Sequence, residues 1–362
     1  MREVILHMGL HKTASSSIQA TCAQNNKLLR KKGIYYPIFE YNEKKIINHS
    51  IPIYSLFSTS PENFHVNVKW GVDAELVNRE YRKQLDDIAG TKDKLIISGE
   101  GISSLPIDAL QLMMEYFKTR DFRIKAVAFV RSPVSSKISS AQERVKNGGT
   151  IIYSDNQFPS DRIKKLQSVF AGDVEFYPFK LVCSHRYGPT GFFLELAGLK
   201  NRVLKHINYL HVNESLSDQA TRLIAYINKT EPFYLFNAAT GRKEINPNRQ
   251  TGDTAVLQKI SGNKYKPILT EIQHILERAK QENNWLKQHM GDQFCDDETD
   301  LEFSVTRPPW NDDNLQQLRD ALDDCSLILR KIVTDFIENE INTGQVDKAA
   351  KHQGIDTTNT AI

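Results

Sequence analysis

Four short apolar runs constrain this chain more than any other feature, because each is continuous rather than alternating. EVILHM (3–8), KLIIS (94–98), IKAVAFV (124–130) and VEFYPF (174–179) are rich in β-branched and aromatic residues and too short for buried helices. A strand that is apolar at nearly every position needs cover on both faces, which parallel sheets with helices on either side supply. Stretches of helical periodicity separate the runs, at 15–32, 70–90, 106–118 and 133–147. The alternation predicts an α/β chain with a three-layer parallel sheet flanked by helices.

Beyond the last run the pattern turns helical. ESLSDQATRLIAYINK opens a helix, with Ser217 placed to cap it and Asp218 in its first turn. Two further helices are predicted at 266–289 and 312–340. In the second, Leu315, Leu318, Leu322, Cys325, Leu329, Ile332 and Phe336 recur three and four apart, an apolar seam that must pack on something. Docking onto the protein's own core is the first expectation and a homo-oligomer contact the other. STSPENFHVNVK (58–69) and the Gly/Asn-rich region 236–265 read as loops. The predicted organisation is a core over 1–235, a helical C-terminal extension over 236–342 packing on it, and a disordered polar tail over 343–362.

Charge narrows the function. Among 362 residues, 47 basic side chains face 44 acidic ones, a net +3 that gives no bulk attraction for nucleic acid. Any anion site must be local. Cys22, Cys183, Cys295 and Cys325 are scattered without metal-like spacing, so neither a disulfide framework nor a zinc site is expected, and a reducing, cytoplasmic setting fits. No apolar run approaches the roughly 20 residues of a membrane span. MREVILHMGL is interrupted too soon for a signal peptide, and peripheral association with a membrane-bound assembly stays open.

The local anion site is legible at HMGLHKTASSSIQA (7–20), directly after the first predicted strand. Gly9 lets the backbone turn, and the small residues Thr13, Ala14, Ser15, Ser16 and Ser17 let successive N–H groups approach an anion at the following helix's positive end. Lys12 adds a full charge and the hydroxyls add donors, making a phosphate-type cradle in a P-loop-like strand, loop and helix. The spacing is not GxxxxGK[ST], and IISGEG (96–101) places no aspartate at the next strand's end to hold Mg²⁺.

GLHKTASSS resembles the 5′-phosphosulfate loop of the sulfotransferases that use 3′-phosphoadenosine 5′-phosphosulfate (PAPS), in particular the bacterial carbohydrate-directed type, with Ala14 in place of the usual glycine. VAFVRSPVSSKISS resembles that family's 3′-phosphate segment: Arg131 ends a strand, Pro133 follows, and Ser139 comes eight positions after the arginine. A weaker likeness is VNESLSDQATRL (212–223), similar to an Asn-x-Ser-x-Ser helix start. The resemblance covers about 1–230. It implies PAPS as donor, 3′,5′-adenosine diphosphate as product, a carbohydrate hydroxyl or amine as acceptor, and no metal. Gly9, His11, Lys12, Thr13, Ala14, Ser15, Ser16, Arg131 and Ser139 would hold the donor.

Sulfuryl transfer needs charge relief on the leaving phosphate, in-line placement and a base for the acceptor's proton. Lys12 is the candidate for the first, with His11 polarising the sulfuryl oxygens. Glu100, just past the second strand, is the leading base, and His49 in NHS (48–50) is its rival. Tyr41, Tyr54, Phe57, Phe64 and Trp70 offer aromatic surface for sugar stacking or, equally, for a core. A Mg²⁺-dependent P-loop kinase or other nucleotide-binding transferase, and a non-catalytic relative, are the competing readings.

Overall fold

The computed structural model describes residues 2–10, 12–212, 215–237 and 242–338. Four strands, β1 (Arg2–His7), β2 (Lys94–Ser98), β3 (Phe122–Val130) and β4 (Val174–Pro178), form one parallel sheet in the order β2–β1–β3–β4. Side-chain alternation in the apolar runs explains the layering. Val4, Leu6, Leu95, Ile97, Ile124, Ala126 and Ala128 enter one buried cluster, while Ile5, Ile96, Val127 and Phe129 enter another. Successive residues point to opposite faces of a strand, so each continuous run feeds two cores at once. The fold is α/β, a P-loop-like three-layer arrangement, and the C-terminal part of the chain is helical.

The predicted helices fall where periodicity placed them: Ser15–Gln24, Ala74–Thr91, Ile107–Lys118 and Pro133–Lys146. The predicted 15–32 helix is broken. Asn25 turns its amide onto the Thr21 carbonyl at 2.8 Å and exchanges two hydrogen bonds with the Asn208 backbone, and Asn26–Lys31 starts anew. Region 58–69 is not a plain loop: a 3₁₀ turn at Pro61–Asn63 leads into a helix, His65–Trp70, with Phe64 stacked on Tyr54 at 4.6 Å. Region 236–265 contains part of a hairpin, Tyr234–Asn237 with Arg242–Ile245, and a 3₁₀ turn.

The described chain groups into two compact units, 2–136 with 154–212 and 275–301, and 137–153 with 215–274 and 302–338. Both are discontinuous in sequence, unlike a single cut at 235. In the second unit Ser217 caps Asp218–Thr230 by accepting from the Ala220 amide at 3.0 Å. The expected helix at 312–340 is two helices, Asp312–Leu322 and Leu327–Phe336, because Ser326 caps a fresh start through the Leu329 amide. Its seam residues Leu318, Cys325, Leu329, Ile332 and Phe336 are buried in this unit's own core. Residues 339–362, and with them the predicted tail, lie outside the described residues.

Candidate functional site

Sheet order brings three separate sequence signals to one edge. β1 is flanked by β2 and β3, all parallel, so the loop after His7, Glu100 after β2 and Arg131 after β3 leave the carboxyl ends of three adjacent strands. The ladder continues one step past the strands: Gly99 N–H donates to the His7 carbonyl at 3.0 Å and Met8 N–H to the Val127 carbonyl at 2.9 Å. In open parallel sheets this edge is where ligands bind.

The loop is built by close approach. A Cβ on Gly9 would lie 2.1 Å from Ser15 Oγ, so a larger residue there requires the Ser15 hydroxyl to turn aside. Thr13 Oγ1 donates to the Leu10 carbonyl at 2.5 Å, so that hydroxyl is engaged in holding the turn and its contribution to an anion would come through the backbone. Lys12 and Ala14 both take left-handed backbone, at φ 67° and 65°. Ala14 thus stands where glycine is strain-free, and the strain of an alanine there is about 1 kcal/mol. Helix Ser15–Gln24 follows at once, and its first-turn N–H groups have no carbonyl of their own helix to bond. Ser15 Oγ is buried with no hydrogen-bond partner. Ser16 is half-buried on the same turn. His11 lies outside the described residues.

Glu100 opens a 3₁₀ turn, Glu100–Ser104, that is tied to the loop: the Ser103 hydroxyl reaches the Gly9 carbonyl at 3.2 Å and the Glu100 carbonyl at 2.8 Å. The flanking glycine has a reason too, since a Cβ on Gly99 would meet the Ser50 backbone nitrogen at 2.5 Å. The Glu100 charge acts on two neighbours. One is His7, whose pKa burial pushes down to about 4 against the pull of that carboxylate. The other is Arg162, on helix Pro159–Phe170, whose pKa burial lowers while Glu100 raises it. Lys165, one turn further, donates to the Leu105 carbonyl at 2.9 Å. Sequence reasoning passed over this helix, and no motif singles out Arg162; only the fold carries it to Glu100.

His49 has the opposite surroundings. It is fully buried, stacked on Tyr36 at 4.4 Å, and both ring nitrogens are engaged: Nδ1 accepts from the Ser98 amide at 2.9 Å and Nε2 lies 2.7 Å from the Pro37 carbonyl. Because Nδ1 accepts, the proton is on Nε2. Burial pushes the pKa down to about 4. No nitrogen is left for an acceptor's proton, so His49 is a structural histidine and not the base that its position suggested. The aromatic set is likewise structural in large part: Phe57 and Phe64 are buried, and Tyr41, Tyr54 and Trp70 pack against the cluster that holds Phe57.

Arg131 is half-buried, its guanidinium 4.7 Å above the Phe179 ring, with Nη1 3.5 Å from Ser135 Oγ. Its Nε is buried with no hydrogen-bond partner. Burial lowers its pKa, while Cys183 and Asp300 raise it. Beside it, Asp296 accepts from the Val134 amide at 2.9 Å and Asp300 from the Ser132 hydroxyl at 2.7 Å, so carboxylates take the amide and hydroxyl donors where helix Pro133–Lys146 begins. Asn283 positions Asp296 through two hydrogen bonds of 2.8 Å, and Lys180 pairs with Asp300 at 2.9 Å. The acidic run CDDETD (295–300) gave no spacing signal that would have placed it here. Ser139 is buried on the same helix, in the second unit.

Among the described residues no group of three or more His, Cys, Asp or Glu side chains is arranged to hold a metal ion, and no helix is long and apolar enough to cross a membrane. All four cysteines are free thiols.

No family model and no curated protein matches the chain. A solved structure from the PezAT chromosomal toxin-antitoxin system of Streptococcus pneumoniae is similar over 64% of this chain and 84% of that one, at 13% identity and a TM-score of 0.28, a likeness too slight to bear on function.

Proposed function

We propose that the chain is a sulfotransferase that moves a sulfuryl group from PAPS to a hydroxyl or amine of a carbohydrate. The observation that carries this reading is the convergence of the Gly9–Ser16 loop, Glu100 and Arg131 on the carboxyl edge of three adjacent parallel strands. The residues suit a donor with phosphate at two ends. Gly9 keeps the loop backbone bare for an anion, and the buried Arg131 Nε still needs an acceptor. PAPS as substrate supplies the activated sulfuryl group.

In this reading the backbone of Thr13–Ser16 and the start of helix Ser15–Gln24 hold the 5′-phosphosulfate, and Lys12 stabilises negative charge developing on the leaving phosphate oxygen. Arg131 binds the 3′-phosphate through its side chain, since Asp296 and Asp300 already take the neighbouring Val134 amide and Ser132 hydroxyl. Glu100 accepts the proton of the attacking group, with the Arg162 charge interacting with that carboxylate. A second reading, donor binding without transfer, draws on the left-handed Ala14 in the cradle.

Ligand-dependent melting separates these readings from a kinase. The expectation is that 3′,5′-adenosine diphosphate raises Tm without magnesium and Mg-ATP does little. A larger shift with Mg-ATP would overturn the reading. Lys12→Ala should abolish transfer. A wild type that binds the diphosphate yet moves no sulfuryl group to any carbohydrate tried would favour the non-catalytic form.

A further inference from the structure

Acid is missing from two stretches of the first unit: residues 4–39 and 196–212 hold no aspartate or glutamate. The fold brings them together. Asn25, between helices Ser15–Gln24 and Asn26–Lys31, exchanges hydrogen bonds of 2.8 and 3.0 Å with the Asn208 backbone, and the Leu210 amide donates to Thr21 Oγ1 at 3.0 Å. Lys27, Arg30, Lys31 and Lys32 are exposed on the first stretch, and Lys200, Arg202 and Lys205 on the second. Among the described residues none of them pairs with a carboxylate.

Lys27, Arg30 and Lys31 are three and four positions apart, so they share one side of their helix, where like charges repel and weaken it. With Asn26 and Ile38 they line a depression of about 640 Å³ that has no acidic group in its wall. Arg30 is held in place there. Its Nε donates to Asn26 Oδ1 at 3.1 Å, its Nη2 donates to the Tyr35 hydroxyl at 3.4 Å, and the guanidinium lies 4.6 Å above the Tyr35 ring.

Unneutralised cations select an anion, and the aromatic residues narrow its class. Single-stranded nucleic acid is held by cations together with aromatic faces on which bases stack. These stretches offer little of that kind: Tyr36 and Phe39 are fully buried, Tyr35 is covered by Arg30, and Tyr209 is stacked on Tyr187 at 5.4 Å. Cations spread over two segments exceed what one small anion neutralises, whereas an anionic leaflet attracts them all. Half-buried Ile38 gives the depression an apolar side for the carbons of a headgroup.

We propose that this basic face of the first unit docks on an anionic lipid surface, with a phosphodiester headgroup in the Lys27–Arg30–Lys31 depression. The site needs neither nucleotide nor transfer, so it stands apart from the donor reading.

Vesicle co-sedimentation of the whole protein tests it, with phosphatidylglycerol mixed into phosphatidylcholine against phosphatidylcholine alone. Binding should require the anionic lipid and fade at about 0.5 M salt, where surface charges are screened. Each cation near an anionic leaflet is worth about fivefold, so Lys27→Gln, Arg30→Gln and Lys31→Gln combined should weaken binding about tenfold or more. Lys118→Gln, Lys229→Gln and Lys280→Gln combined remove the same charge from exposed positions on other helices and should bind as the wild type does. Melting should match the wild type in both; should the first variant melt early, Lys31→Glu alone carries the test. Equal binding to neutral vesicles, none to anionic ones, equal loss in the two variants, displacement by soluble glycerol phosphate, or tighter retention on polyuridylate RNA through Lys27, Arg30 and Lys31 would each overturn the proposal.

Discussion

The Ser98 amide donates to Nδ1 of His49 at 2.9 Å, joining a strand end to a helix start 49 residues away. This bond requires a neutral ring. His7, on the neighbouring strand, is also fully buried, and burial holds both histidines at about 4, below the ordinary 6.5. The unfolded chain therefore binds more protons between these values, so stability is full above about pH 6.5 and falls as pH drops toward 4. Each histidine should contribute a slope of about 1.4 kcal/mol per pH unit there. Denaturant melts across that range should show the loss, and His49→Gln should roughly halve the slope. A flat profile would mean that neither ring is held neutral.

Ala14 adopts φ 65° in the loop. Ala14→Gly should raise unfolding free energy by about 1 kcal/mol, since glycine takes left-handed backbone without strain. Gly9→Ala should do the reverse, its Cβ displacing the Ser15 hydroxyl that lies 2.1 Å away. Chemical denaturation of the two variants side by side checks both signs.

Arg131→Ala should weaken binding of 3′,5′-adenosine diphosphate by tenfold or more, the scale of a charge-assisted contact, as read by calorimetry. Arg131→Lys should recover little, because an ammonium cannot present a guanidinium fork above the Phe179 ring. Equal affinity in all three proteins would remove Arg131 from the donor site.

Glu100→Gln should keep diphosphate binding and lose turnover. Arg162→Ala tests the pairing more finely. A positive neighbour favours the ionised carboxylate, so its removal should move the acid limb of the kcat/KM profile to higher pH. An unmoved limb would show that Arg162 does not act through Glu100.

The strands were legible because the central parts of β1, β2 and β3 are buried on both faces, which leaves few polar positions to blur the pattern; β4, at the sheet edge, is only partly buried. The loop was legible because Gly9, Lys12 and the small residues are consecutive. What the sequence hid are partnerships across distance. Asn25 breaks a well-patterned helix for the Asn208 backbone, and Ser326 restarts another. His49 looks like a base until both nitrogens are seen to be engaged. Arg162, Asp296 and Asp300 carry no local signature at all, and only tertiary structure brings them to Glu100 and to the start of helix Pro133–Lys146.

The Met8–Val127 hydrogen bond extends the β1–β3 ladder to the point where the loop departs, three residues short of where β3 ends at Val130. Backbone spacing between the loop and Arg131 is thereby set by ladder register rather than by side-chain reach. A slip of one residue would change it by about 3.3 Å, more than a hydrogen bond can stretch. The sheet works as a ruler for the distance between the loop and Arg131.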